Sequence, residues 1–344
     1  MRLFSRIIQI KKRFPLTISR GTHTGSSNLF VVIDDGEHKG IGEMSPSKDP
    51  SDPNSEDCKN ILNEFWKDIN PKLGIKEIWQ LAKDKNIAPY AIAALDIALW
   101  DLKGKKQNES IRTMLNMPLP SAPTSITLGI MSPEEVAIRI PLLFENQKFK
   151  SLKVKLGSPD GIEFDKAMFS QALESSKEFD VICRVDANGG WNLEQAKRMT
   201  EWLAERNVDY IEQPLAKGDE GNLKNLYKNR ALPIYVDESC NYAEDIEEWH
   251  EYVDGVNIKL MKCGGITGAV EILESCKTHN LKSMIGCMGE SSVSISAAAQ
   301  ISGVIQHIDL DSHLNLSPDP ATGAELIDGI LMPNDLPGHG AKLK

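Results

Sequence analysis

The sequence predicts an α/β fold, a modified (β/α)8 barrel preceded by a smaller α+β domain, and three observations carry that prediction. The first is length: 344 residues exceed one ordinary core but suit a barrel of roughly 200–250 residues plus a second domain. The second is a change of rhythm after Pro123, from strands then helices to a strand–helix alternation that runs to HIDLDS at 307–312. The third is a set of charged residues at the ends of short apolar runs: SLKVKLG (151–157), VICRVDAN (181–188), YIEQP (210–214), IYVDES (234–239) and GVNIKL (255–260). From Lys155 through Asp186, Glu212 and Asp237 to Lys259 the successive steps are 31, 26, 25 and 22 residues. A step of about 25 is one strand, one helix and two short loops. These residues therefore occupy equivalent positions of successive βα units.

In chain order, RLFSRIIQI, SNLFVVID before the turn DDGEHKG, and GIGEMSP alternate and read as antiparallel strands with a hairpin. The stretch 48–55, KDPSDPNS, is a Pro/Asp/Ser loop. Residues 56–117 read as helices, the clearest being PYAIAALDIALWDLKGK, with apolar residues at helical spacing and Pro89 near its start. Together these make an α+β capping domain over 1–120. SITLGI (125–130) then reads as a strand. SPEEVAIRIPLLFENQ (132–147) reads as a helix capped by Ser132 with Pro133 in its first position. Eight strands, near 125, 151, 181, 210, 234, 255, 282 and 307, place the barrel at 121–315. The tail is rich in Pro and Gly, and its segment 316–344 is expected to return to the first domain.

Bulk composition narrows the function classes. With 41% hydrophobic and 26% charged residues the chain is ordinary for a globular protein. A net charge of −10 argues against general nucleic-acid binding, which needs a basic surface. Cys58, Cys183, Cys240, Cys263, Cys276 and Cys287 form no C-x-x-C pair and read as reduced thiols. MRLFSRIIQIKKRF has no uninterrupted apolar core of a secretory signal, and no run approaches 18 apolar residues. The expectation is a cytoplasmic protein with no membrane partner; composition leaves the oligomeric state open, a homo-oligomer included.

In a barrel of this kind the site lies at the C-terminal ends of the strands. Asp186, Glu212 and Asp237 fall on the neighbouring strands three, four and five. Any one of them alone reads as a solvated loop residue or half of an ion pair. Three converging carboxylates repel unless a cation joins them, and oxygen-only ligands on rigid strands suit Mg²⁺. Lys153 and Lys155 project the same way from strand two. Lys259 is on strand six, across the ring. A substrate between Lys155 and Lys259 has an amine or ammonium on each face, the arrangement that inverts a stereocentre next to a carboxylate. An ordinary lysine, near 10.4, is a poor base at neutral pH. Burial and neighbouring positive charge, from Lys153 and the metal, are expected to lower it. A Schiff-base lysine is the rival, because barrel aldolases also use strand-end lysines; the three carboxylates weigh against it.

At Lys153-Val154-Lys155, Asp186 in VDAN, Glu212 in IEQP, Asp237 in VDES and Lys259 in NIKLMKCGGI, the chain resembles the enolase superfamily, in particular its muconate-lactonising-enzyme subgroup. The resemblance covers essentially the whole chain. It implies Mg²⁺ on the three carboxylates, Lys155 and Lys259 as acid/base residues acting through an enediolate, and Lys153 at the substrate carboxylate. HIDLDS places Asp309 and Asp311 two apart, and this looks like the D-x-D that holds the substrate's free ammonium in dipeptide epimerases; a helix cap or a solvated loop is the plainer alternative. IGCMGESSVSISAAAQ resembles the same enzymes, with Cys287, Met288 and Glu290 lining the pocket, although a Met at a barrel rim commonly just packs. SRGTHTGSSN (19–28) corresponds to the capping-domain loop that closes over the substrate. Relatives acting on Ala-Glu dipeptides carry an arginine there, where this chain has His23, which puts a glutamate preference in doubt. Thr127 is a candidate contact to the substrate backbone, or simply a β-branched strand residue.

The resulting expectation is a Mg²⁺-dependent dipeptide epimerase acting by 1,1-proton transfer on the second residue. Other reactions of the subgroup (o-succinylbenzoate synthesis, N-acylamino acid racemisation, muconate cycloisomerisation) use substrates without a free ammonium, and Asp309 and Asp311 argue against them. A noncatalytic binding protein on the same scaffold is the alternative of a different class.

Overall fold

The computed structural model describes residues 1–47, 49–145 and 147–344. The predicted loop 48–55 begins at Lys48 and the predicted helix 132–147 runs through Asn146, and these two positions lie outside the described residues. The chain opens with three antiparallel strands in the order β1 (Arg2–Ile18), β2 (Gly21–Asp34), β3 (Lys39–Met44). Alternating exposure along β1 puts its apolar residues on one face. Helices α1 (Ser55–Lys67), α2 (Ile75–Asp84), α3 (Pro89–Gln107) and the single turn α4 (Ile111–Met114) follow. Asn54 and Asp57 start α1 with reciprocal side-chain bonds to each other's backbone N–H. Nearly every residue of α3 from Tyr90 to Leu102 is buried, as in a helix packed on all sides. It lies so close to β3 that a Cβ on Gly42 would come within 1.9 Å of the Ala94 carbonyl. Only glycine permits that approach.

The segment 19–28 is not a loop. The β1–β2 ladder continues through Leu16↔His23, Thr17↔Thr22 and Ile18↔Gly21, so a tight turn at Ser19–Arg20 forms the tip of a long hairpin. Threonines at 17, 22 and 24 favour extended backbone, and Gly21 takes the positive φ of +127°. The register shifts between Lys11 and Leu16, so residues 12–15 bulge out of β1.

The barrel strands are β4 (Ser125–Leu128), β5 (Ser151–Lys155), β6 (Ile182–Asp186), β7 (Ile211–Glu212), β8 (Ile234–Val236), β9 (Gly255–Ile258), β10 (Lys282–Ile285) and β11 (His307–Ile308). They are parallel and lie in sequence order. The helices between them are α5 (Pro133–Phe144), α6 (Ile162–Ser176), α7 (Leu193–Ala204), α8 (Leu223–Tyr227), α9 (Leu260–Cys263), α10 (Ile266–Thr278) and α11 (Ser292–Ile301). Ser132 caps α5 and Pro133 opens it. The predicted alternation fails once, after β8, where the chain makes 3-10 turns at Ala243–Glu248 and His250–Tyr252; beyond β11, the last predicted strand, it makes another at Ser312–Asn315. In the first case Glu244, Asp245, Glu247, Glu248 and Glu251 would crowd like charges three and four residues apart in an α-helix. The buried residues there, Ile246 and Trp249, are three apart, the 3-10 period.

The sheet nearly closes into a barrel. Its two edges meet at one bridge, Thr124↔Ile308, reinforced by Leu310 N–H to Thr124 Oγ1 at 2.9 Å. Below the mouth, the rings of Tyr210, Tyr235 and His307 pack with centroids 4.7–5.2 Å apart. Arg184 ties that layer to Ser125 Oγ at 3.0 Å and to the Ile308 carbonyl at 3.2 Å. The tail runs back to the N-terminal strands and helices. His339 N–H donates to Asp101 at 3.1 Å, its Nε2 lies 2.8 Å from the Ile41 carbonyl, and Ile111 N–H donates to the Gly338 carbonyl at 2.9 Å. Among the described residues no helix is long and apolar enough to cross a membrane.

Candidate active site

Parallel pairing explains why the charged residues meet. In register, Lys155 lies beside Asp186, and Asp186 beside Glu212. Asp237 and Lys259 each follow the last residue of their strand, β8 and β9. All five are buried, as is Lys153. One carboxylate oxygen from each of Asp186, Glu212 and Asp237 lies within 4.8 Å of the others. Lys153 Nζ sits 2.6 Å from Glu212, 2.6 Å from Asp309 and 3.2 Å from Asp186. Lys155 Nζ is 2.5 Å from Asp186, and Lys259 Nζ is 2.5 Å from Asp237. Because β5 and β9 are four strands apart in an eight-stranded ring, the two lysines approach the carboxylates from opposite sides.

Supporting residues hold the carboxylates in place. Asn257 Nδ2 donates to Glu212 Oε1 at 2.7 Å, and Asn188 N–H to Asp186 Oδ1 at 2.8 Å. Gln213 Oε1 accepts from Asp237 N–H at 2.7 Å, and Lys262 Nζ is 2.6 Å from Asp237 Oδ1. Burial, then the charge of Asp186, pushes Glu212 up to about 8 against the pull of Lys153. Burial works against the ionised form of Asp186 too, but Lys155 and Lys153 hold its carboxyl below the usual range. A buried, oxygen-only donor set on three adjacent rigid strands fits Mg²⁺.

Burial does work to lower Lys259, but Asp237 and then Glu212 outweigh it and hold the ammonium above its ordinary value. Lys153 is likewise raised, by Asp309, Glu212 and Asp186 against burial. The fold gives each lysine a carboxylate at bonding distance.

Thr127, Cys287, Met288, Asp309 and Asp311 line one cavity together with Lys155. The acid pair is already engaged: Asp309 with Lys153, and Asp311 as acceptor of the Thr127 N–H at 2.7 Å. Glu290 is buried behind the wall, where its carboxylate accepts the Met288 N–H at 2.9 Å. His23 is half-buried on the hairpin, paired with Leu16 and outside the cavity lining. From the tip of that hairpin it is Ser19 and Arg20 that reach the barrel mouth. Both donate to the Asn188 carbonyl at 2.9 Å, and Arg20 meets Glu238 at 2.7 Å. The bulge of β1 adds Lys12 and Phe14 to the cavity wall, with Asn315 gripping the Phe14 backbone by two 2.9 Å bonds.

Sequence reasoning missed Arg20, Lys12, Phe14, Asn188, Glu238, Asn257 and Lys262. Four of these had a signal: Asn188 stands in VDAN, Glu238 in VDES, and Asn257 and Lys262 in NIKLMK. Arg20 stands in the segment 19–28 already singled out; Lys12 and Phe14 had none, because their partners lie more than 100 residues away.

Residues 137–344 match the family described as enolase C-terminal domain-like, and residues 4–116 match the mandelate racemase/muconate lactonizing enzyme N-terminal domain. A hydrophobic dipeptide epimerase of Flavobacteria bacterium (strain MS024-2A) is 51% identical over 337 residues, covering 98% of this chain and 97% of that one. Another hydrophobic dipeptide epimerase, of Roseobacter litoralis, is 48% identical over 343 residues, covering 100% and 99%. The crystal structure of a dipeptide epimerase from Enterococcus faecalis V583, complexed with Mg and the dipeptide L-Leu-L-Tyr, is similar with a TM-score of 0.89. Its sequence identity is 32%, and the match covers 99% of this chain and 98% of that one.

Proposed function

The chain belongs to the enolase-like family of mandelate racemases and muconate-lactonizing enzymes, and from that membership and its opposed lysines we propose that it is a Mg²⁺-dependent dipeptide epimerase. This isomerase inverts the α-carbon of a dipeptide's second residue. One observation carries the reading: Lys155 and Lys259 bond different carboxylates of the cluster at 2.5 Å, from opposite sides. Binding alone has no use for a proton-transfer group on each face.

Asp186, Glu212 and Asp237 would hold Mg²⁺, which when bound supplies positive charge against the substrate carboxylate and acidifies the neighbouring α-proton. Lys155, as the amine, takes the α-proton of one epimer, while Lys259, as the ammonium, delivers a proton to the opposite face; for the other epimer the roles exchange. One proton leaves and one arrives, so the product differs only in configuration. Lys153, bonded to both Glu212 and Asp309, orients the substrate carboxylate relative to the ammonium subsite. Asp309 and Asp311 receive the free ammonium; Thr127, Cys287 and Met288 flank it, and Glu290 and His23 act from outside the wall. The division into 1–120, 121–315 and 316–344 belongs to the same proposal, supported by the tail's bonds to Ile41, Asp101 and Ile111. A cytoplasmic location accords with six unpaired thiols.

The direct test is a dipeptide library in D₂O with Mg²⁺, read by mass spectrometry. Deuterium is expected at the second residue's α-position, with hydrophobic dipeptides among the substrates. Exchange confined to N-acylated amino acids would move the assignment to another reaction of the subgroup. Tight binding without exchange on any compound would leave a binding protein.

A pH dependence separates the ammonium subsite from the bases. Burial, then the charge of Asp309, pushes the Asp311 carboxyl up to about 6. The charged form is the one that attracts an ammonium, so KM is expected to rise as pH falls through 6. Asp311→Asn should start with a KM about tenfold or more higher, as for a lost charged hydrogen bond, and show no further rise between pH 7 and 5. A wild-type KM that is flat across that range removes Asp311 from ammonium recognition.

A further inference from the structure

The glycine pair of NIKLMKCGGI lies where helices of the N-terminal domain meet the barrel. Gly264 and Gly265 have φ of +76° and +102° and join α9 to α10. Trp79 of α2 donates its Nε1–H to the Gly264 carbonyl at 3.0 Å. Asp96 of α3 accepts from Thr267 N–H at 3.0 Å and from Thr267 Oγ1 at 2.5 Å, and Trp100 Nε1–H reaches the same hydroxyl at 3.0 Å. The fit leaves no room for side chains on the turn. A Cβ on Gly265 would lie 2.5 Å from Asp96 Oδ2, and one on Gly264 2.7 Å from Trp79 Nε1.

Asp96 is 2% exposed and has no cation within 4 Å among the described residues. A buried carboxylate is costly unless hydrogen-bonded, and here the first N–H groups of α10 supply the bonds. The turn it grips is continuous with Lys259. Lys262 N–H and Cys263 N–H donate to the Lys259 carbonyl at 2.8 and 3.2 Å, and Gly265 N–H to the Leu260 carbonyl at 2.8 Å. The β5 end that carries Lys155 is held instead from within the barrel, by Leu156 N–H to the Asp186 carbonyl at 2.8 Å and Gly157 N–H to Asp165 at 3.0 Å.

We propose that Asp96, braced by Trp79 and Trp100, is a positioning residue for Lys259. It touches no substrate; it fixes the Gly264–Gly265 turn and through it the ammonium on one face of the site. Through this turn the N-terminal domain contributes to proton transfer on the Lys259 face.

The inference rests on the two-base reading, and the test separates the two. Initial α-deuterium uptake is measured from each epimer of a hydrophobic dipeptide in D₂O with Mg²⁺. The epimer handled by Lys259 is the one that still exchanges in Lys155→Ala. In Asp96→Asn, and in the near-isosteric Thr267→Val, uptake from that epimer is expected to fall about ten- to a hundredfold, the cost of a misplaced group. Uptake from the other epimer, Mg²⁺ affinity and the melting temperature should be nearly unchanged. Thr267→Val gives the same readout if Asp96→Asn does not fold. Equal loss from both epimers, or loss that only tracks melting temperature, overturns the role of Asp96 alone. No exchange from any dipeptide in the wild type overturns the proposed activity and the role together.

Discussion

Lys155→Ala and Lys259→Ala are each expected to lose epimerisation by about a thousandfold or more, within the range for removing a general acid or base, while each keeps α-proton exchange from one epimer only. The asymmetry follows from the ring. β5 and β9 are on opposite sides of the barrel, and each Nζ bonds a different carboxylate at 2.5 Å. With Lys259 gone, Lys155 still abstracts from its own face and returns solvent deuterium to the same face, so exchange proceeds without inversion. Chiral separation of the products together with mass spectrometry reads both quantities. Epimerisation surviving in either variant would sink the two-base scheme.

Glu212→Gln should weaken Mg²⁺ binding by roughly a hundredfold or more and lower epimerase activity at least as far. The carboxylate is the middle one of three on adjacent strands, bonded to Asn257 at 2.7 Å and to Lys153 at 2.6 Å. Glutamine keeps the volume and one acceptor but removes a full negative charge from the donor set. Titration calorimetry with Mg²⁺ reads the affinity, and excess Mg²⁺ should restore part of the activity. Chelation of the wild type should abolish activity, and added Mg²⁺ return it. A fold collapse is not the expected cause, because the substitution removes one of three mutually repelling buried carboxylates. An unchanged Mg²⁺ affinity in Glu212→Gln would remove that residue from the ligand set.

Much of the barrel could be read directly. Buried parallel strands appear as short apolar runs, and Lys155, Asp186, Glu212, Asp237 and Lys259 each interrupt the end of one, so type and spacing together located the strands and the charged mouth. Segment 19–28 was harder. Its Gly, Ser and Thr content reads as loop, yet pairing with residues 16–18 extends it, and local composition cannot report a partner strand's register. The 3-10 turns at 243–252 similarly depend on which of the two buried side chains, Ile246 and Trp249, meet the core.

Fold class, family resemblance and the set of three carboxylates with two lysines were all legible along the chain, because residue types at a fixed βα step carry that information locally. The contacts between the charged groups and their supports came from the folded chain. It places a carboxylate at bonding distance from Lys155 and from Lys259, brings Arg20 to the barrel mouth, and sets Asp96 on the turn beyond Lys259. Each of these is a distance between residues far apart in the chain, and charge–charge energy and hydrogen bonding depend on such distances and on burial rather than on composition.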